Sequence, residues 1–148
     1  MASHTFQHRH VVRFGQTDCA GIVYFPNFFD IFQQVEEEFL TAIGHPLAQL
    51  ISVQGRGIPI LHAEADFKRP VRYGDTLAVA LRVTRLGNSS FSFGFTVTLV
   101  GENAVCATAT IVHALIDRAT FKPIRLPEDL REALGAYLTP AEVDLKPR

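Results

Sequence analysis

The sequence has few of the residues that usually point directly to a function. It contains no tryptophan and only two cysteines, which fit neither a disulfide framework nor a zinc-binding spacing. We therefore expect Cys19 and Cys106 to be free thiols in a reducing cytoplasm. Acidic and basic residues nearly balance, 15 against 14, so nothing in the overall charge favours binding to nucleic acid. No apolar run has the length of a signal peptide or a membrane span, and we expect no membrane association.

Apolar residues, in contrast, are plentiful. They make up 47% of the 148 residues, which is ordinary for a globular protein of this length. We expect a single domain over 1–148, with its core at about 6–127 and a C-terminal helix at about 127–138.

A long helix is predicted after Pro26, because apolar residues recur there at helical spacing until Gly44 and Pro46 end the pattern. Five phenylalanines lie in this segment or just before it, so the helix must be buried against a broad apolar surface. Glu36, Glu37 and Glu38 form a charge run that is expected on its exposed or rim face.

The period changes to two after Gly57. Strands are predicted over 58–67, 76–86, 90–100 and 105–116, following a first strand at 6–13. We expect these strands to be antiparallel and in meander order, with the Ala-rich strand 105–116 at the centre. The economical arrangement is α+β: a curved sheet of about five strands wrapped around the long helix.

Asp18 is the main candidate for chemistry. It lies in a polar turn among small or apolar neighbours, and partial desolvation would make its carboxylate a stronger base. Free N–H groups of the first helical turn, around Phe25 to Phe28, would follow closely and could stabilise an oxyanion. A carboxylate beside such donors suits acyl transfer. Residue chemistry alone nevertheless favours a simple turn role, with Asp18 bonding its own backbone.

Two stretches carry a family resemblance. The run FGQTDCAGIVYFPNF at 14–28 resembles the signature of the 4-hydroxybenzoyl-CoA thioesterase family, whose members commonly have D-x-x-G-I-V-[YW]-[FYH]-x-N-[YF]. The run AEADFKRPVRYGDTL at 63–77 resembles the strand–turn–strand segment of that family, and 87–91 is a weaker match. The resemblance implies the hotdog fold, an acyl-CoA thioesterase, and a homodimer or homotetramer with active sites at the subunit interface.

The resemblance also implies roles for individual residues. Asp18 matches the catalytic carboxylate, as nucleophile or general base, and the Phe25 N–H matches the donor that polarises the thioester carbonyl. Tyr24 and Pro26 flank this donor and are expected to shape the pocket. His62 is a candidate for the acyl pocket, although a core or interface role is the commoner one for such a histidine.

The family's arginine-rich turn for the CoA phosphates is replaced here by Gly87-Asn88-Ser89. Substitute phosphate contacts are proposed at Arg85, Lys122 and Arg125. The cluster Lys68, Arg69 and Arg72 is either a solvated turn or a phosphate rim.

The expected substrate is an aromatic or short-to-medium acyl-CoA, of the 4-hydroxybenzoyl or benzoyl type, with no metal and no dissociable cofactor. Phe25 stands where the Tol-Pal-associated short-chain thioesterases have histidine, which favours the aromatic alternative. A short-chain thioesterase of that type and a non-hydrolytic acyl-CoA or acyl-carrier binding module remain open. A dehydratase on the same fold is disfavoured, since no His with Asp or Glu forms a dehydratase-type motif.

Overall fold

A computed structural model describes residues 4–140 of the chain. In chain order the elements are β1 (Phe6–Val11), α1 (Pro26–Ala42), α2 (Leu47–Ser52), β2 (Arg56–Gly57), β3 (Ile60–Phe67), β4 (Thr76–Leu86), β5 (Ser90–Leu99), β6 (Ala104–Ala114), β7 (Ile116–Asp117) and α3 (Glu128–Gly135). None of the helices in this part of the chain is long and apolar enough to cross a membrane.

Five of the strands form one antiparallel sheet in the order β1-β4-β5-β6-β3. The α+β hotdog architecture predicted from the sequence is confirmed. The full meander is not, because only β4, β5 and β6 follow one another, while β3 returns to pair with β6. Residues 43–59, which contain α2 and β2, connect α1 to this edge strand. The short strands β2 and β7 form a separate pair.

The phenylalanine-rich side of helix α1 packs against one face of the sheet. Phe32 stacks on Phe95 of β5 with ring centroids 4.6 Å apart, and Phe39 meets Phe93 edge-on at 5.6 Å. All four rings are fully buried. Burying each such side chain contributes about 1.5–3 kcal/mol, so these contacts hold the helix, and with it the residues before its first turn, against the sheet.

The central strand is β5, and the expectation that the Ala-rich strand would be central is wrong. Residues 91–95 of β5 are buried on both faces. Arg82 and Thr84 of β4 cover the outer face at Gly94, where an added Cβ would lie 2.7 Å from Thr84 Cγ2. The alternation of large and small residues in β5 does not reveal that an arginine of the neighbouring strand folds over Gly94.

Glu36 is also placed differently from the expectation. It is buried, and its Oε2 lies 2.9 Å from Nε2 of His113 on β6, while Glu37 and Glu38 are exposed. The Nδ1 atom of His113 lies 2.9 Å from the Ile58 carbonyl oxygen. The charge run thus contributes one partner to an ion pair inside the core.

Strand β3 is an edge strand of unusual exposure. Ala65 alone among its eight residues is partly buried, and the other seven, including Ile60, Leu61 and Phe67, are exposed. An uncovered apolar edge of this kind is a ready template for pairing with another strand.

Candidate active site

The residues before α1 form a small, closed loop. Thr17 and Val23 are bridged in antiparallel fashion, and the Asp18 N–H donates to the Ile22 carbonyl at 2.9 Å. Gly21 has φ of 80°, a conformation that favours glycine, and it allows the chain to reverse between these two residues. The Asp18 side chain is therefore presented at the end of a hairpin whose second strand runs directly into α1.

The Asp18 carboxylate has one engaged and one free oxygen. Its Oδ1 accepts the Ala20 N–H at 2.8 Å, which is the turn role that residue chemistry favoured. Its Oδ2 makes no hydrogen bond within residues 4–140 and is available to a reactant. The expected desolvation is not present in the single chain, where Asp18 is exposed and no residue within 4–140 buries it.

The start of α1 offers one N–H donor rather than the expected group. Asn27 N–H donates to the Tyr24 carbonyl at 2.9 Å and Phe28 N–H to the Phe25 carbonyl at 3.1 Å. Pro26 has no N–H. The Phe25 N–H is then the first-turn donor that has no acceptor in the part of the chain the structure describes.

Gln16 joins the loop to the helix and was not singled out from the sequence. Its carbonyl oxygen accepts both the Tyr24 N–H, at 2.9 Å, and the side-chain amide of Asn27, at 2.8 Å. Its side-chain Oε1 lies 2.8 Å from Nε2 of His10 and accepts the Arg13 N–H at 2.9 Å. Asn27 in the 14–28 signature was the sequence feature that could have indicated this link, because a side-chain amide in a first helical turn usually bonds nearby backbone.

An apolar groove of about 320 Å³ is lined in part by Phe25. Its walls come from the second strand of the hairpin, the start of α1, the end of β3 and the turn after β3. The lining residues are Ile22, Val23, Phe25, Phe28, Phe67, Lys68, Arg69, Pro70 and Val71. Asp18 does not line the groove, but it belongs to the same hairpin as Ile22 and Val23.

Tyr24 and Pro26, which flank Phe25 in the sequence, lie beside it at the start of α1. The Tyr24 ring is half-exposed and meets the Phe25 ring edge-on, with centroids 5.5 Å apart. Pro26 is the first residue of α1, where a missing N–H costs no helical bond. Asp18, Tyr24, Phe25 and Pro26 are thus brought together at one end of the sheet.

The other proposed substrate contacts lie at the opposite end. Within the sheet, His62 and Arg85 share a cross-strand row through Val112 and Ser92. This row is five residues from the row of Phe67, roughly 16 Å along the strand. Lys122 lies near the same end, after β7, where its carbonyl accepts the Asp117 N–H. The fold of the single chain does not bring these residues to Asp18.

Two cations line the groove itself. Arg69 is paired with Glu102 at 3.0 Å, whereas Lys68 forms no ion pair within residues 4–140. The neighbouring Arg72 is exposed, and its N–H donates to Asp75 Oδ2 at 2.8 Å. No group of three or more His, Cys, Asp or Glu residues within that range is arranged to hold a metal ion.

The arrangement suits chemistry at a carbonyl group. A carbonyl oxygen placed on the Phe25 N–H would be polarised by that bond and by the positive end of α1. The apolar groove beside this donor would receive the acyl chain or ring attached to the carbonyl carbon, and the free Oδ2 of Asp18 would supply the base or nucleophile.

Comparisons with known proteins agree with this chemistry. Residues 12–134 match the family model described as the thioesterase-like superfamily. A 1,4-dihydroxy-2-naphthoyl-CoA hydrolase from Synechococcus elongatus is 37% identical over 135 residues, covering 90% of this chain and 96% of that protein. The structure of a 1,4-dihydroxy-2-naphthoyl-CoA thioesterase from Synechocystis has a TM-score of 0.84 at 29% identity, covering 89% of this chain and 96% of that one. A gentisyl-coenzyme A thioesterase has a TM-score of 0.78 at 26% identity, covering 85% and 99%.

Proposed function

The chain belongs to the thioesterase-like superfamily and is an acyl-CoA thioester hydrolase, and on this premise we propose that its substrate is the CoA thioester of a hydroxylated aromatic carboxylic acid. Water cleaves the bond between the carbonyl carbon and the sulfur, and the products are the free acid and CoA. The reaction needs no metal or dissociable cofactor, because the thioester carbonyl is itself reactive.

The observation that carries the proposed mechanism is the Phe25 N–H at the start of α1, which has no acceptor within residues 4–140. The thioester oxygen accepts this N–H, and negative charge that develops on the oxygen during attack strengthens the bond. Asp18 acts through its free Oδ2, either attacking the carbonyl carbon directly or taking a proton from the attacking water. CoA leaves as the thiolate in both cases. When Asp18 is the nucleophile, the acyl group remains on it as a mixed anhydride, which water then hydrolyses to the free acid and the Asp18 carboxylate.

The aromatic substrate class is supported by two independent observations. The relatives named above act on 1,4-dihydroxy-2-naphthoyl-CoA or gentisyl-CoA, as their descriptions state. The groove beside the Phe25 N–H is lined mainly by apolar side chains, three of them phenylalanine. Apolar and aromatic linings with a few polar groups are typical of sites for such ligands.

The active form is proposed to be a homodimer, or a homotetramer built from it, that pairs through β3. Support comes from the exposure of six of the seven β3 residues that precede Phe67 and from the exposed position of Asp18 in a single chain. A second protomer would also offer a route by which His62, Arg85 or Lys122 reaches the substrate, since one protomer separates them from Phe25.

A free-thiol release assay over a panel of acyl-CoAs tests the function. The panel contains benzoyl-, hydroxybenzoyl- and dihydroxynaphthoyl-CoA beside acetyl-, butyryl- and octanoyl-CoA. We expect the highest kcat/KM with a hydroxylated aromatic thioester. Preference for butyryl-CoA would instead indicate the short-chain alternative, and a protein that binds acyl-CoA but releases no thiol from any member would be the non-hydrolytic binding module.

A further inference from the structure

The ring of Phe67 has a position that the proposed mechanism does not use. Phe67 is the last residue of β3, and the residue is 45% exposed although its ring belongs to a phenylalanine cluster. Phe67 and the neighbouring Phe25, which is also exposed, form one open apolar surface beside the proposed reactive site, and contiguous apolar surfaces of this kind mark ligand grooves.

Contacts fix where this ring lies. Its centroid is 5.2 Å from that of Phe28 and 6.1 Å from that of Phe25, and the second pair meets edge-on. Phe28 is buried in the first turn of α1, whereas Phe25 is 57% exposed. Phe67 is thus held by a fixed neighbour on one side and joins Phe25 as an open wall of the groove on the other.

The groove begins at the residue whose N–H is proposed to hold the thioester oxygen. A planar ring attached to the carbonyl carbon would extend away from that oxygen and lie in the groove against the wall that Phe25 and Phe67 form. Aromatic pairs favour offset or edge-to-face contact at centroid distances of about 4.5–7 Å, and the ring pairs already present lie in this range. A flexible alkyl chain would bury apolar surface in the groove but could not make edge-to-face or offset contacts with the two rings.

We propose that Phe67 is a specificity-determining residue that selects an aromatic acyl group by ring-to-ring contact in this groove. This inference rests on the proposed function, because it assigns the acyl end of the same substrate. It makes Phe67 a binding residue, with no part in proton transfer or in the attack on the carbonyl.

The test compares Phe67→Leu with wild type, using benzoyl-CoA and hexanoyl-CoA as a pair of thioesters with similar apolar content. Leucine keeps the apolar character and loses the ring. We expect kcat/KM for benzoyl-CoA to fall by about 5- to 10-fold, in line with the value of an aromatic pair, while that for hexanoyl-CoA is unchanged or rises. The loss should lie mainly in KM.

Phe121→Leu is the matched control, since Phe121 is an exposed phenylalanine near the other end of the sheet. It should leave the benzoyl-to-hexanoyl ratio at the wild-type value. Should Phe67→Leu unfold, Phe67→Tyr, which keeps the ring, should retain the aromatic preference, and binding of a non-hydrolysable benzoyl-CoA thioether to wild type should perturb the Phe67 ring resonances in NMR spectra.

The outcomes separate the two proposals. A wild type that hydrolyses benzoyl-CoA, but whose ratio is the same in Phe67→Leu, overturns the assignment of Phe67 and leaves the function intact. So do unperturbed Phe67 resonances in the bound thioether complex. A wild type without activity on any thioester overturns the proposed function itself.

Discussion

The Nε2 atom of His113 lies 2.9 Å from Oε2 of Glu36, with only 2% and 1% of the two side chains exposed. The Nδ1 atom faces the Ile58 carbonyl oxygen, which only accepts hydrogen bonds, so Nδ1 carries a hydrogen. The contact with Glu36 therefore needs a further proton between Nε2 and Oε2. The folded core holds a proton that an isolated histidine and glutamate would release near neutral pH.

Stability should depend on pH through this pair. Burial lowers the pKa of His113, but the hydrogen bond and charge of Glu36 and the backbone carbonyls outweigh it, and the pKa is raised above 6.5. Folded protein then binds more protons than unfolded protein above pH 6.5, so the free energy of unfolding falls as the pH rises through the raised pKa. The contribution is complete below pH 6.5. Urea unfolding at pH values from below 6.5 to above the raised pKa measures the loss of stability. The loss is about 1.4 kcal/mol for each unit by which the pKa is raised.

His113→Gln provides the control, because glutamine can still bond the Ile58 carbonyl but does not titrate. This variant should be less stable at pH 6 and should lose most of the decline at higher pH. A decline that persists unchanged in His113→Gln would assign it to other groups.

Replacing Phe25 separates its ring from its N–H. Proline fits the backbone there, since φ of Phe25 is −54° and proline requires about −65°. Phe25→Ala removes the ring and keeps the donor, whereas Phe25→Pro removes both. We expect kcat of Phe25→Pro to be about 10²- to 10³-fold below that of Phe25→Ala, measured by thiol release with folding checked by circular dichroism. Equal kcat values in the two variants would show that this N–H does not hold the oxyanion.

Asp18→Asn should abolish most of the activity while preserving the loop. An asparagine Oδ1 can accept the Ala20 N–H as Asp18 does, but the amide cannot act as base or nucleophile. The expected loss of kcat is about 10²- to 10⁴-fold with little change in thermal stability. Asp129→Asn is the matched control, because the Asp129 carboxylate also bonds nearby backbone, at Leu130 N–H, in an exposed position. Full activity in Asp18→Asn would exclude the proposed mechanism.

A charge on the β3 edge should disrupt the proposed dimer. Leu61 is 62% exposed on this strand, and Leu61→Asp would bury a carboxylate in a β3–β3 interface. Sedimentation velocity should then show monomers and the thiol-release assay a lower kcat/KM. Val53→Asp likewise replaces an exposed apolar residue by a carboxylate, but at a position after α2, and this variant should remain assembled. A Leu61→Asp protein that sediments like wild type would place the interface elsewhere.

The strands were the most predictable part of the chain. Alternation over 76–86 predicts β4 with the observed ends, and over 90–100 it predicts β5 to within one residue. The pattern is clear because each strand has one face packed on α1. The identity of the central strand was less predictable, because the local pattern around Gly94 does not show that Arg82 folds over this glycine and covers the outer face of β5.

The site was predictable in its residues but not in its hydrogen bonding. The signature at 14–28 places Asp18 and Phe25, yet the expected group of first-turn donors is reduced to one by the bonds of Asn27 and Phe28 to preceding carbonyls. Glu36 was misplaced for a different reason. Its partner His113 is 77 residues away in the sequence, and only the folded sheet brings the two together.

Proline at position 26 limits what the start of the helix can offer to a substrate. A carbonyl oxygen has two lone pairs, and the Phe25 N–H can fill only one of them. The next residue, which would direct a second N–H from the same turn, has none. The other lone pair must be met by water or by a group from outside this turn, so the first turn alone makes half of an oxyanion site.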